Sequence, residues 1–209
     1  MTSDDAASTG RAFAGLRRLK RVNLPEERCD SCATGLSAIH QHMVDCSNHR
    51  LLCICSICSM MLGSESATRF RSVPSAGRSA AELQISDAQW DALRIPVALA
   101  FIYTTGQAGQ AYVVYPSPGG PIASELDSME WPRLVDSNPI LQSLRPYVEA
   151  LLINRVNNVR EYLVAPIDEC YRLVGIVRRE WRGFGGGMEL QEEMAVQLQE
   201  LRRRAGGPV

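Results

Sequence analysis

At 209 residues the chain is long enough for one sizeable domain, or for a medium domain with a small appended module, and its 45% hydrophobic and 22% charged residues are ordinary for a soluble globular protein and argue against disorder across the whole length. No apolar run approaches the roughly 20 residues of a membrane helix, the best being IPVALAFIY at 95–103, and the polar N-terminus lacks the apolar segment of a secretory signal. A cytoplasmic protein is therefore expected, and the net charge of −1, with 10 basic and 7 acidic residues over 1–80 and 12 and 16 over 81–209, is too even for nucleic-acid binding by bulk charge.

In chain order, residues 1–25 are expected to be a disordered lead and a short basic helix, in which Phe13, Leu16 and Leu19 recur at helical spacing between arginines. Residues 26–75 form a compact cysteine and histidine module. IHQHMVD and RLLCI read as two strands joined by the turn CSNH, and ATRFRSVP as a third. The small, polar residues 76–83 read as a linker.

A second domain is expected over 84–205. Ser86 suits the N-cap of a helix in ISDAQWDALRIP. VALAFIYTT and QAYVVYPS read as a hairpin closed by GQAG. Beyond the turn PSPGGP, two helices are expected in ELDSMEWPRLVDSNP and ILQSLRPYVEALLINRV; Asn157 and Asn158 then break the pattern before a strand in REYLVAP. PIDECYRLVGIVRREW is expected to be a helix with Pro166 in its first turn, Asp168 and Glu169 at its positive end, arginines at its negative end, and Cys170, Leu173, Val174 and Val177 on one face. GFGGG stops it before a last amphipathic helix, MELQEEMAVQLQELRRRA. The fold class is α+β: a small zinc-ribbon-like module followed by a small antiparallel sheet packed with helices.

All three histidines (His40, His42, His49) and six of the seven cysteines lie between residues 29 and 58. Clustered cysteines in a reducing compartment are more often metal ligands than disulfides, and an odd total of seven argues against a closed disulfide framework. Cys29 and Cys32, then Cys55 and Cys58, form two CxxC pairs. Two residues between thiolates let a tight turn aim both sulfurs at one ion, and two such turns complete a tetrahedron. The expected ligands are Cys29, Cys32, Cys55 and Cys58, holding zinc, with iron on the same four sulfurs as the alternative.

Cys53 is read as a small buried side chain, able to replace Cys55 or to join His40 or His42 in a site that hands metal on. His40 and His42, two residues apart on a strand, face one side. Cys46, in a turn, and Cys170, on an apolar helix face, read as unreactive thiols.

Little else suggests chemistry. The second domain has no histidine, and Asp168 and Glu169, although readable as an acid/base pair, are explained by a helix N-terminus. GFGGG follows a helix where a nucleotide loop follows a strand. YRLVGIVRREWRGF mixes aromatic and basic residues, but its apolar positions are spaced for a core. No catalytic residue is assigned, and the chain is not expected to be an enzyme.

ERCDSC, RLLCICSIC, IPVALAFI, VVYPSPGG, NPILQSLRPYVEALLINRV and EYLVAPIDECYRLVGIVRREWRGFGGG together make the chain resemble a bacterial family of unknown molecular function. That family is often encoded in actinobacteria beside uptake nickel-iron hydrogenases and their maturation genes. The resemblance spans about residues 15–204, carries over the pair Cys29 and Cys32 and the trio Cys53, Cys55 and Cys58, and includes His42; Cys46 departs from it. It implies a metal-binding accessory protein with a protein partner, such as a hydrogenase subunit or maturation factor. The alternatives from the residues are a rubredoxin-like electron or iron carrier and a nucleic-acid-binding zinc-ribbon regulator. No small-molecule substrate is evident.

Overall fold

The computed structural model describes residues 27–65, 69–106, 110–182 and 186–206. The lead and basic helix expected over 1–25 lie outside the described residues.

A short hairpin organises the N-terminal module. Strand β1 (Gln41–Asp45) pairs antiparallel with β2 (Arg50–Ile54) through the turn at 46–49, and β3 (Phe70–Ser72) adds to the other edge of β1. Asp45 shapes the turn by accepting from the Ser47 amide at 3.0 Å, and His49 takes a φ of 58° to close it. Strand alternation splits this small sheet into two faces. Met43 and Ile54 point into a small core with Cys29, Cys58, Leu36 and Phe70, whereas Val44 and Leu51 point into the core of the second domain. Helix α1 (Ser56–Glu65) follows β2 directly.

Six antiparallel strands form the second sheet: β4 (Arg78–Ser79), β5 (Leu99–Thr104), β6 (Ala111–Ser117), β7 (Gly120–Glu125), β8 (Glu149–Asn154) and β9 (Glu161–Pro166), in the order β4-β9-β8-β5-β6-β7. Residues 78–79, inside the stretch read as a linker, thus contribute an edge strand. Gly77 allows its approach to β9, since a Cβ there would meet the Val164 carbonyl oxygen at 2.5 Å.

Helices cover both faces of this sheet. Helices α4 (Ile167–Glu180) and α5 (Met188–Arg204) bury Cys170, Leu173, Val174, Leu198 and Leu201 against Phe101, Leu152 and Leu163. On the opposite face, α2 (Asp87–Ala92), α3 (Glu130–Ser137) and a 3-10 turn (Pro139–Ser143) set Leu93, Trp131, Leu134 and Leu141 against Ile102, Val113, Leu151 and Val164. Ser86 caps α2 with a full capping box, its hydroxyl accepting from the Gln89 amide and the Gln89 side chain accepting from the Ser86 amide. Asn157 and Asn158 take left-handed φ values of 54° and 60° between β8 and β9. The α+β class holds, with antiparallel sheets and five α-helices among the described residues.

One expected element is corrected. ILQSLRPYVEALLINRV is not a helix: after the 3-10 turn, Tyr147 takes a φ of 70° and the chain enters β8. Pro146 withholds an amide from any helix here. All six residues of β8 are buried, because helices lie on both sides of a central strand, so EALLIN lacks the polar alternation of a half-exposed strand.

Candidate metal centre

The first CxxC pair sits in a tight turn. The Ala33 amide donates to the Cys29 carbonyl and the Cys29 amide to the Thr34 carbonyl, both at 2.8 Å, with Ala33 at a φ of 60°. Asp30 fastens this knuckle to β2. Its amide donates to the Cys53 carbonyl at 2.8 Å, while its carboxylate accepts from the Cys53 amide at 2.7 Å and from Arg50 Nη2 at 2.8 Å. The second pair straddles the end of β2 and the first turn of α1, so a helix start presents Cys58 beside Cys55.

These placements bring the sulfurs of Cys29, Cys32, Cys55 and Cys58 within 4.8 Å of one another. Cys32 Sγ and Cys55 Sγ are 3.8 Å apart, the edge of a tetrahedron whose centre-to-sulfur distance is ~2.3 Å being ~3.8 Å. The seven cysteines are all unpaired thiols. Amide donors point at the sulfurs: Cys55 N to Cys29 Sγ at 3.4 Å and Cys58 N to Cys55 Sγ at 3.5 Å.

Such donors favour thiolate. Burial, the largest influence on Cys29, opposes ionisation, but the amides of Cys55, Cys32 and Ser31 outweigh it and bring its pKa from 9.0 to about 6. The Ser31 side chain helps Cys58 to ionise, yet its neighbours Cys55, Cys32 and Cys29 oppose it and leave that thiol at about 12. Four thiolates this close repel one another unless a cation sits between them. The donor set and its spacing fit one tetrahedral divalent ion.

The remaining candidates fall elsewhere. His42 and Cys53 are directly opposed across β1 and β2, on the face away from the four-cysteine cluster, and one ligand atom of each lies within 4.8 Å of one from His40. His49 packs edge-on among Tyr103, Tyr112 and Tyr147 and belongs to neither cluster. Cys46 is half-buried, its thiol pushed up mainly by burial, and Cys170 is fully buried in the core with its thiol pushed further up. Glu169 is buried and engaged by Arg204 Nη1 at 2.8 Å and Gln197 Nε2 at 2.7 Å.

Two roles were not legible from motifs. Asp30 lies inside the knuckle and locks it to β2; an acid in the first CxxC is the only signal, and a weak one. Asp168 Oδ2 lies 2.9 Å from His42 Nδ1, a contact between residues 126 positions apart that no local pattern encodes.

No helix among the described residues is long and apolar enough to cross a membrane. Comparison with curated proteins and with solved structures gives no match. The profile of a family of unknown function, DUF5947, matches residues 28–205, taking in both clusters and the whole second sheet. With that span matched, the chain belongs to the family of unknown function DUF5947.

Proposed function

We propose that the protein is a non-enzymatic, metal-binding accessory protein whose zinc-ribbon-like module holds one structural zinc ion on Cys29, Cys32, Cys55 and Cys58. The carrying observation is that four sulfurs from a knuckle and a helix start, 23 residues apart at Cys32 and Cys55, lie within 4.8 Å of one another. Bound zinc supplies cross-linking: it ties the knuckle, β2 and α1 around a core too small to hold them alone. The engagement of Glu169 by Arg204 and Gln197, and of Asp168 by His42, supports structural roles for the acids of α4 over an acid/base role.

The amides directed at Cys29 and Cys55 sulfurs, with the exposed Cys32 edge, favour one second reading, a rubredoxin-like iron centre that carries electrons. Purification under anaerobic, reducing conditions followed by metal analysis separates the two. One equivalent of zinc and a colourless protein are expected. Stoichiometric iron, with visible absorption that bleaches on reduction, overturns the structural-zinc reading.

The process served is inferred from the family resemblance: assembly or maturation of a nickel-iron hydrogenase through a protein partner. Deleting the gene is expected to lower hydrogenase activity or leave an unprocessed large subunit. Normal activity and processing overturn that inference without touching the metal site.

A further inference from the structure

The four-cysteine cluster uses one face of the β1–β2 hairpin, and the other face carries a second set of soft donors. His42 and Cys53 are cross-strand partners there, and the ring of His40, two residues before His42, lies 4.6 Å from that of His42, tilted by 56°. One ligand atom from each of the three lies within 4.8 Å of the others.

The oxygens beside the two rings decide which nitrogens carry protons. His40 Nδ1 lies 3.0 Å from the Ser37 carbonyl oxygen, with Glu27 Oε2 at 3.5 Å, and His42 Nδ1 lies 2.9 Å from Asp168 Oδ2. A carbonyl and a carboxylate offer only lone pairs, so the proton sits on Nδ1 of each ring, and in the neutral rings both Nε2 atoms keep a lone pair. The His40 side chain is only 7% exposed, and its Nε2 is buried with no hydrogen-bond partner. A buried acceptor left without a partner costs roughly 1–3 kcal/mol, a penalty that a ligand removes.

We propose that His40 Nε2, His42 Nε2 and Cys53 Sγ form a second, three-coordinate site for a borderline divalent cation such as zinc or cobalt(II). Two imidazoles and a thiolate suit such ions, and the three donors leave the fourth tetrahedral position open to water or an exogenous ligand. Binding releases the Cys53 proton to solvent and forms one sulfur–metal and two nitrogen–metal bonds. Metal–nitrogen bonds of ~2.0 Å and a metal–sulfur bond of ~2.3 Å set donor–donor edges of about 3.3–3.6 Å when the site is loaded.

Asp168 and the Ser37 carbonyl act as positioning groups, each holding a ligating ring by its far nitrogen. Because Asp168 opens α4, the second domain sets the orientation of a ligand carried by the first. Occupancy of this site is thereby coupled to the seating of the hairpin on the six-stranded sheet, in a way that the four-cysteine site is not.

Anaerobic titration of the reduced, metal-free full chain with cobalt(II), followed by thiolate-to-cobalt absorption and bound metal per chain, tests the proposal. Two equivalents are expected. His42→Ala and Cys53→Ser are each expected to bind one, keeping the four-thiolate spectrum, which also reports that the module has folded. Asp168→Asn changes no ligand and is expected to bind both, the second 10–100-fold more weakly. A single equivalent unaffected by Cys53→Ser, or two equivalents unaffected by either ligand substitution, overturns the second site. A single equivalent with one-thiolate absorption that Cys53→Ser abolishes supports it while removing the four-cysteine reading.

Discussion

Asp45 concentrates more polar contacts than any other side chain among the described residues of the small module. It is 5% exposed, and its carboxylate accepts from Arg69 Nε at 3.2 Å and Nη2 at 2.8 Å, from the Ser47 amide at 3.0 Å and from the Ser47 hydroxyl at 2.6 Å. The Arg69 hydrogen bonds, the largest influence, together with Ser47, hold its pKa far below the ordinary 3.8 against the opposing effect of burial. A carboxyl with a depressed pKa stabilises the fold fully above its unfolded value and loses that contribution as pH falls below it. Stability is therefore expected to decline from about pH 4 downward. Asp45→Asn should flatten that limb while lowering stability at neutral pH by about 2 kcal/mol, the size of a charge-assisted hydrogen bond lost. Denaturant melts of both proteins from pH 7 to pH 2 check this, and parallel acid limbs would show that other carboxyls dominate.

The elements differ in how plainly they announce themselves, and the reason is what covers them. QHMVD and RLLCI are short runs set off by the turn CSNH, which marks them as a hairpin although both of its faces are packed, and PIDECYRLVGIVRRE shows a helical stripe because one side of α4 meets solvent. Strand β8 has no exposed side, so ALLI offers no period and only its length favours a strand. Leu151 and Leu152 make the distinction measurable. The first is 0% and the second 2% exposed, in different cores on opposite faces of the sheet. Leu151→Ala and Leu152→Ala are each expected to cost about 3 kcal/mol in urea unfolding. A cost below about 1 kcal/mol at either position would mean that one face of β8 is solvated.

At the scale of the molecule, the candidate metal site was legible because CxxC encodes its geometry locally, within one turn at each end. The facing of the two modules was not, since Val44 and Leu51 meeting the core of α4, or His42 meeting Asp168, are long-range contacts without a spacing rule. That unequal construction predicts unequal stability. Among the described residues, the core under the four cysteines contains only Met43, Ile54, Cys29 and Cys58 as buried residues, bordered by Leu36, Cys55, Leu62 and Phe70, whereas two larger cores clamp the six-stranded sheet. Structural zinc supplies on the order of 10 kcal/mol to a small domain, more than so few buried side chains provide once chain entropy is subtracted. Stripping metal with a chelator is therefore expected to unfold residues 27–72 while the second sheet stays intact. Hydrogen exchange reads the two regions separately: in metal-free protein, amides of β1 and β2 should exchange at nearly unprotected rates, and those of β5 and β8 should keep most of their protection. Retained protection in β1 and β2 would place the module's stability in its packing against Tyr103, Tyr147 and Ile167 instead of in the ion, whereas loss in both sheets would make the two modules a single cooperative unit.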